Sequence, residues 1–389
     1  MVKTNNVKGF VDFTGPAAAK RVKVKKILQD EFELFGFGPT ETPIIEAEEF
    51  VVGKNSVDEA VRDVYRLEDR GKRKLALRYE FTFQLARLAR NQKLPFKRYQ
   101  IGPNFRDEPI RKGRSRQFVQ ADVDIVGSTL KDDAEVLAVC DSVFKKLEMK
   151  VKIYVNNRKL INEILVGENI EEKDRDQVMR EIDKLDKLSK KEVADKLKKL
   201  GCERLIDIFT SKEKDFEKYK FYSEVRELKT YCKMYGVEVE FRPYLVRGLS
   251  YYNGSVFEVC SDELNVSIAG GGSYLINDVQ SVGVALGFEP IALLCDIESE
   301  SVRLQLISVE QDKKTIDLAL KLRKKGVSVN VILDKTVKKA MEYANSSGVE
   351  YVVVVGAEEV KNKKFKLKEM ESGNEKELSE KGLLSELKK

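Results

Sequence analysis

The first clear pattern along the chain is a set of apolar residues at helical spacing. The positions that recur three or four residues apart are Val24, Ile27, Leu28, Phe32 and Phe35. This spacing predicts an amphipathic helix over residues 15–36, with Gly36 at its end. The segment GPTETPIIE that follows predicts a turn and an extended stretch ending near Pro43, and residues 80–91 again have helical spacing.

Two strands with alternating side chains are predicted on either side of a basic loop. In the first, the apolar face consists of Tyr99, Ile101, Pro103 and Phe105, and the opposite face of Arg98, Gln100, Asn104 and Arg106. In the second, the apolar face consists of Val119, Ala121, Val123 and Ile125, and the opposite face of Phe118, Gln120, Asp122 and Asp124. Because side chains alternate with a period of two, Arg106, Gln120 and Asp124 can share a face while the apolar faces are buried.

The pattern changes twice further along the chain. From about Arg158 to Tyr235 it is polar and helical, which predicts a helical insertion or, alternatively, a long helical connector. Strand signals return with VEVEFRPYLVRGLSYYNGSVFEVC. After a break near Glu298–Ser301, strands alternate with helices at 311–325 and 335–347, which predicts a compact α/β domain with a largely buried sheet.

Composition excludes several classes of chemistry. The 389 residues contain no histidine, which rules out Ser-His-Asp and Cys-His catalysis and HExxH zinc sites. The cysteines lack CxxC spacing, which favours reduced thiols in a cytoplasmic protein over disulfides or a zinc site. They are Cys140, Cys202, Cys232, Cys260 and Cys295. The N-terminus has no apolar signal core, and no run is as long as a membrane helix, so we expect no membrane association.

The charge of the chain is concentrated near its C-terminus. The net charge is +6, and from Ser301 onward there are 19 Lys and Arg against 14 Asp and Glu. A basic terminal domain could contact nucleic acid, although a solvated lysine-rich surface explains the charge equally well.

The polar face of the two strands carries a guanidinium, an amide, carboxylates and an aromatic ring. Arginine pairs bidentately with phosphate or carboxylate, and the Phe118 ring can stack on a flat ligand. This assortment favours recognition of a ligand with an anionic group, a ring and an amine. A purely structural sheet face is the alternative.

Three separated motifs resemble the histidyl-tRNA synthetase family of class II aminoacyl-tRNA synthetases. FRDE with the basic loop and GRSRQF resembles motif 2 of the class, and RKGRSRQFVQADVDIVG resembles its histidyl version. LVRGLSYYNGSVFEV, residues 245–259, is similar to the family's histidine-specific signature. LALRYEFTFQLAR, residues 75–87, is similar to the loop that closes on the amino acid. The motifs occur in family order and with family spacing.

The resemblance implies an α+β fold. It comprises a class II synthetase-like antiparallel sheet with flanking helices, a helical insertion and a C-terminal α/β anticodon-binding domain. The implied domains are residues 1–157 as the first catalytic part with motifs 1 and 2, 158–237 as the insertion, 238–299 as the second catalytic part with the histidine signature and motif 3, and 302–389 as the anticodon-binding-like domain. Motif 1 forms a dimer interface in this class, which implies a homodimer.

The implied activity is ATP-dependent conversion of L-histidine to histidyl-adenylate, followed by transfer to tRNA(His), with Mg²⁺ neutralising the pyrophosphate. Such a reaction needs positioned positive charge rather than a strong base. By motif position, Arg106 and Arg247 would hold the α-phosphate from opposite sides, Arg247 doing work that a metal ion does elsewhere. Arg114 would meet the terminal phosphates, and Glu108 and Phe118 would bind adenine. No side chain is assigned to a metal ion.

The same mapping assigns a set of side chains to histidine. They are Glu80, Thr82 and Gln120 for the α-ammonium group, Asp124, Tyr251 and Tyr252 for the imidazole, and Arg247. A carboxylate and a phenol can satisfy both ring nitrogens of an imidazole, and a site of this kind rejects analogues that leave its groups unpaired. Glu80 as a helix N-terminal acid and the tyrosines as core aromatics are the alternative interpretations.

Several positions depart from the family pattern. They are Tyr79 for a proline, Ser250 for an aspartate, Ser273 and Leu275 for the arginine and aspartate of GGRYD, and Pro290 for the motif 3 arginine over the γ-phosphate. Loss of one charge-assisted contact at Pro290 costs about 2–3 kcal/mol, which slows such a reaction without abolishing it.

These departures keep two other functions open. One is a paralogue that binds histidine as a regulatory or sensor subunit without charging tRNA. Such chains tend to lose the histidine signature, the basic loop or the C-terminal domain, all of which this chain retains. The other, a non-catalytic RNA-binding protein, rests on the basic terminal domain alone.

Overall fold

The computed structural model describes residues 4–53, 59–111, 113–248, 251–261, 263, 266–297 and 303–388. Ser250 and the domain boundary expected between residues 299 and 302 lie outside these ranges. The chain divides into two compact units, Met1–Asp12 with Val24–Asp296 and Phe13–Lys23 with Ile297–Lys389. No helix within the described ranges is long and apolar enough to cross a membrane.

The secondary structure before residue 297 mixes short and long elements. The strands are β1 (Gly38–Pro39), β2 (Ile45–Ala47), β3 (Arg66–Glu68), β4 (Lys74–Leu77), β5 (Phe96–Phe105), β6 (Gln117–Val126), β7 (Val151–Asn157), β8 (Glu240–Phe241), β9 (Tyr252–Ser261), β10 (Val266–Ile276) and β11 (Val279–Gly287). The helices are α1 (Gly15–Leu34), α2 (Glu48–Val52), α3 (Glu59–Arg62), α4 (Thr82–Leu88), α5 (Leu130–Lys146), α6 (Arg158–Gly167), α7 (Glu172–Ile182), α8 (Lys190–Lys199), α9 (Leu205–Phe209), α10 (Tyr222–Met234) and α11 (Phe288–Leu294). Short 3₁₀ turns occupy Ala89–Asn91, Asp183–Asp186 and Glu213–Phe216.

The first predicted helix is confirmed as α1. Val24, Leu28 and Phe32 are fully buried at four-residue intervals, and Ile27 is half-buried beside them. Gly36 adopts a positive φ of 78°, a conformation that glycine tolerates and that ends a helix.

The main sheet contains eight strands among the described residues, in the order β1-β5-β6-β11-β10-β9-β7-β8. Its six central strands pair in antiparallel fashion, as the sequence predicts, whereas β1 pairs with β5 and β8 with β7 in parallel. Parallel pairing requires a long crossover, and more than fifty residues separate the strands of each edge pair. A smaller sheet, β2-β4-β3, is antiparallel.

The two strands around the basic loop are confirmed as the antiparallel pair β5 and β6. Tyr99 pairs with Val123 on one face, and Arg98 pairs with Asp124 on the other. Ala121, Val123 and Ile125 are fully buried. The period-two alternation therefore sets which face of the sheet is apolar core and which carries polar side chains.

The region predicted as a helical insertion forms α6 to α10. α6 contacts β7 and β9, and α10 contacts α5 and β7, so both pack against the main sheet or its covering helix. α7, α8 and α9 pack in sequence on one another. The strand expected after this region is shorter than predicted, because β8 has two residues and the chain from Arg242 to Gly248 forms a loop.

The C-terminal unit is a mixed sheet with helices. Its elements are β12 (Leu304–Ser308), α12 (Asp312–Arg323), β13 (Val329–Ile332), α13 (Val337–Ser346), β14 (Tyr351–Val355), α14 (Ala357–Asn362), β15 (Lys364–Glu369), β16 (Glu375–Ser379) and α15 (Glu380–Glu386). The strand order is β13-β12-β14-β15-β16, with parallel pairing up to β14 and antiparallel pairing beyond it. β16 and α15 were not predicted, since EKELS is mostly exposed and lacks an apolar run.

Gly271 offers a stability test of the main sheet. A Cβ at this position would lie 2.0 Å from the carbonyl oxygen of Gly283 on β11 and 2.7 Å from the Phe257 ring. Because the nearest atom is backbone, Gly271→Ala is expected to lower the free energy of unfolding by about 3 kcal/mol or more. Urea denaturation measures this. Gly167→Ala is the control, since no atom lies within 4 Å of its added methyl group, and it should leave stability unchanged or slightly raised. Equal effects of the two substitutions would contradict the packing described.

Candidate active site

The polar face of the main sheet carries the buried carboxylates of Asp122 and Asp124. Two rows of directly paired residues cross it from β5 towards β9. The first row is Arg98, Asp124, Gly283, Gly272 and Val256; the second is Gln100, Asp122, Ala285, Gly270 and Glu258. Gly283, Gly272 and Gly270 leave room above the sheet for the Asp124 carboxylate, the Tyr252 ring and the Arg247 guanidinium.

Asp124 is held by partners on both sides. Its Oδ2 lies 2.7 Å from Arg98 Nη2, and both side chains are buried. Its Oδ1 accepts a hydrogen bond from the Tyr274 hydroxyl. Gly283 is required beside it, because a Cβ there would lie 2.0 Å from Oδ1. Burial raises the pKa of Asp124, and Arg98 and Tyr274 oppose that rise.

Gln120 belongs to a chain of buried polar side chains. Its Oε1 accepts from Asn104 Nδ2 at 3.1 Å, and its Nε2 donates to Asp122 Oδ2 at 3.0 Å. Burial raises the pKa of Asp122 well above its usual range, and the nearby Asp124 and Glu80 raise it further. The amide of Gln120 is therefore fixed in orientation, with its carbonyl towards Asn104 and its amino group towards Asp122.

Three tyrosines cluster beside Asp124. The ring centroids of Tyr251 and Tyr252 are 4.8 Å apart, and those of Tyr251 and Tyr274 are 5.5 Å apart. Burial raises the pKa of Tyr251 well above its usual range, Glu80 adds to the rise, and a hydrogen bond with the Thr82 side chain opposes it. The structure thus brings together the segments that carry Glu80 and Thr82, Asp124, and the tyrosine pair.

The segment before α4 is anchored by a buried arginine. Arg78 Nε donates to the carbonyl oxygen of Pro103 at 2.9 Å, and its Nη1 donates to that of Thr42 at 2.8 Å. Burial lowers the pKa of Arg78 to about 10. Tyr79, the departure from a family proline, is accommodated in an apolar cluster and stacks on Phe83 at 5.8 Å.

The predicted nucleotide-binding residues lie around the end of the β5–β6 hairpin. Arg106 lies over the Phe118 ring at 5.2 Å and donates from Nε to the carbonyl oxygen of Tyr79 at 3.1 Å. Arg114 is more than half exposed and reaches Glu108 at 3.5 Å. An exposed pair of this kind contributes at most about 1 kcal/mol, so a phosphate can replace the carboxylate at small cost.

Arg247 is held in a strained backbone conformation. Its φ is 68°, and its backbone N–H and that of Val246 donate to Asp183 Oδ1 at 3.2 and 3.1 Å. Its Nη1 donates to Glu258 Oε1 at 2.7 Å. The guanidinium lies against Gly270, where a Cβ would come within 2.4 Å of it. Arg247 is therefore aimed over the row of the sheet that contains Asp122.

The remaining departures from the family pattern have separate locations. The Pro290 ring packs beside the turn of the basic loop, 3.7 Å from the position of a Cβ on Gly113. Leu275 is half exposed. Ser273 is buried on the sheet face opposite Asp124 and donates to Asp133 Oδ2 on α5 at 2.7 Å.

Some side chains of the site were not assigned from the sequence. Tyr274 contacts Asp124 from 150 residues further along the chain, Glu258 contacts Arg247 from β9, only 11 residues away, and Asp183 contacts the Arg247 backbone from the helical region. For Tyr274 a signal existed, because Gly270, Gly272 and Tyr274 alternate in the sequence as side chains on one face of a strand do.

Comparison with known proteins matches nearly the whole chain. The family model described as "Histidyl-tRNA synthetase" matches residues 9–291, and the one described as "Anticodon binding domain" matches residues 302–389. Histidine–tRNA ligase 1 of Bacillus cereus is 31% identical over 415 residues, covering 96% of this chain and 97% of the relative.

Solved structures resemble the fold. Histidyl-tRNA synthetase from Nostoc sp. PCC 7120 has a TM-score of 0.87 at 24% identity, covering 100% of this chain and 99% of that one. A protein from Bacillus halodurans described as an ATP phosphoribosyltransferase regulatory subunit/histidyl-tRNA synthetase has a TM-score of 0.78 at 22% identity, covering 91% and 99%. These likenesses confirm the α+β class II synthetase-like fold predicted from the motifs.

The buried carboxyl group of Asp133 should make the free energy of unfolding depend on pH. Burial raises its pKa to about 7, against the hydrogen bonds from Ser255 and Ser273. The unfolded chain loses this proton near pH 4, so the folded state binds more protons between about pH 4 and 7, and stability falls as the pH rises through that window. Asp133→Asn removes this dependence while keeping an oxygen acceptor.

Urea denaturation of both proteins at pH 5 and pH 8 measures the effect. The free energy of unfolding of Asp133→Asn minus that of the native protein should increase by about 2–3 kcal/mol from pH 5 to pH 8. A difference that does not change with pH would contradict the assignment.

Proposed function

The chain belongs to the histidyl-tRNA synthetase family, and on that premise we propose that it activates L-histidine with ATP and transfers the histidyl group to tRNA(His). The observation that supports this most directly is the cluster of Asp124, Tyr274 and the pair Tyr251–Tyr252 on the sheet face over which Arg247 is aimed.

Histidine binds beside Asp124 on this face of the sheet. Asp124 accepts an N–H of the imidazole, and the tyrosines supply the apolar walls and a hydroxyl for the second ring nitrogen. Glu80, Thr82 and Gln120 hold the α-ammonium group. The Arg98 and Tyr274 contacts fix the position of Asp124, so discrimination depends on a preformed site.

Adenylate formation joins two anions. A carboxylate oxygen of histidine attacks the α-phosphorus of ATP, the bond to the bridging oxygen of the β-phosphate breaks, and pyrophosphate leaves with the electron pair. Arg106 and Arg247 stabilise the charge that builds on the α-phosphate. Glu258 supports this role, because it holds the Arg247 guanidinium in one orientation.

The basic loop binds the rest of the nucleotide. Phe118 and Glu108 contact adenine, and Arg114 leaves its exposed pair with Glu108 to meet the terminal phosphates. Arg111 and Arg114 flank Gly113, whose turn packs beside Pro290. The loop can therefore supply positive charge near the place where the family's motif 3 arginine is missing.

Magnesium enters with ATP. Within the described ranges, no three His, Cys, Asp or Glu side chains come together as a metal site. We assign Mg²⁺ to the phosphates of the nucleotide substrate, where it neutralises the departing pyrophosphate.

The C-terminal unit contacts the anticodon region of the tRNA, and the protein acts as a homodimer in the cytoplasm. Exposed apolar side chains on α1 and just after the extended segment that ends near Pro43 support the dimer: Leu34, Ile44 and Ile45 are between 39% and 76% exposed. Cys140, Cys202, Cys232 and Cys260 are free thiols, in keeping with a reducing compartment.

Charging of tRNA tests the function against its alternative. We expect the purified protein to attach labelled histidine to tRNA(His) in the presence of ATP and Mg²⁺. A protein that binds histidine but neither exchanges pyrophosphate nor charges tRNA would instead be the regulatory or sensor paralogue.

Arg247→Ala tests the role of the signature arginine. Loss of one preorganised charge at the α-phosphate is expected to lower the rate of histidine-dependent ATP–pyrophosphate exchange by about 100- to 1,000-fold. Arg226→Ala, at an exposed position of α10, is the control and should exchange at the native rate. Native exchange by Arg247→Ala would remove this residue from the mechanism.

A further inference from the structure

Asp122 is a buried carboxylate with one oxygen unused. It is 3% exposed and lies on the polar face of β6, between Gln120 and Asp124. Its Oδ2 accepts from Gln120 Nε2 at 3.0 Å, while its Oδ1 has no hydrogen-bond partner among the described residues. A buried carboxylate oxygen without a donor is expensive, so its retention calls for a ligand or a proton.

No cation in the described part of the chain is paired with Asp122. The groups that face it are Gln120 and Asp124 from its own strand, Arg98 from β5, Arg78 and Glu80 from the segment before α4, and Tyr252 from β9. Arg98 already pairs with Asp124 at 2.7 Å, and Arg78 already donates hydrogen bonds to the carbonyl oxygens of Pro103 and Thr42. The surroundings thus contain more carboxylate charge than the two guanidinium groups compensate.

The missing positive charge matches the amino group of the substrate. Asp122 shares Gln120 with the proposed ammonium site, and Glu80, the other acid of that site, acts on it electrostatically. We propose that Asp122 is a further ligand of the substrate ammonium group, and that it carries a proton in the free protein and releases it to solvent when histidine binds. The Asp122 O–H bond breaks, the buffer takes up the proton, and an ammonium N–H of the substrate donates a hydrogen bond to the carboxylate oxygen that lost it.

This inference rests on the proposed function for the identity of the ligand. It adds that histidine binding is coupled to proton release, so affinity falls as the pH is lowered and Asp122 becomes harder to deprotonate. The effect acts through a carboxylate that the family motifs did not assign. Asp124, two residues away, behaves differently, because its charge is already compensated by Arg98.

Calorimetry of histidine binding to the full chain tests the proposal. Titrations at pH 7.5 in phosphate and in Tris give the number of protons released, because the two buffers differ in ionisation enthalpy. We expect Asp122→Asn to release about one proton fewer than the native protein and to bind histidine about 10- to 100-fold more weakly. The free energy of unfolding of Asp122→Asn in urea should equal or exceed that of the native protein, because an uncharged amide replaces an uncharged carboxylic acid.

Asp124→Asn is the matched comparison. It leaves Arg98 buried without its anion, so it should lower stability as well as affinity. Equal proton release by the native protein and Asp122→Asn, or native affinity in that variant, would overturn the proposal.

A second measurement needs no variant. Infrared difference spectra of the native protein should lose a protonated-carboxyl C=O band when histidine is added, and an unchanged band would overturn the proposal. The function is tested separately: a native protein that binds no histidine contradicts the proposed function, whereas binding without proton release contradicts only the role of Asp122.

Discussion

The buried ion pair between Arg98 and Asp124 is the interaction on which the site depends. Both groups are removed from water, and each is compensated mainly by the other at 2.7 Å. Removing one partner of such a pair costs about 3–5 kcal/mol, because the remaining charge stays buried. The neighbouring strands are adapted to it: Gly283 leaves room for the carboxylate, and Tyr274 donates to its second oxygen. Asp124 is therefore fixed before a ligand arrives.

Local patterns predicted the parts of the fold that follow from short-range rules. The alternation along β5 and β6 gave the correct faces, because one strand face is buried and the period of two allows a single register. Helical spacing gave α1 within two residues of its C-terminal end. The parallel edges of the sheet were not predicted, since they depend on pairing between segments more than fifty residues apart.

The site was predicted in part. Asp124, Tyr251 and Tyr252 were named from motif position and lie in one cluster around Tyr274. The sequence predicted that Arg98 lies on the polar face of one strand and Asp124 on the polar face of the next. It did not predict that the two side chains pair directly. Register fixes that contact, and register is set by the whole sheet.

The loop that carries Arg247 depends on contacts from distant segments. A non-glycine residue at a φ of 68° costs of order 1–3 kcal/mol and persists only where the surroundings fix it. Here Asp183 accepts two backbone N–H groups of the loop, and Asn156 donates to the carbonyl oxygens of Pro243 and Leu245. The helical region is thus part of what orients the arginine, a role that its polar sequence did not indicate.

Histidine affinity in a double-mutant cycle of Arg98→Met and Asp124→Asn tests the central claim most directly. If Arg98 acts by holding Asp124, Arg98→Met should weaken histidine binding about 10-fold or more, and the double variant should bind no more weakly than Asp124→Asn alone. Native affinity in Arg98→Met, or losses that add in the double variant, would contradict the account.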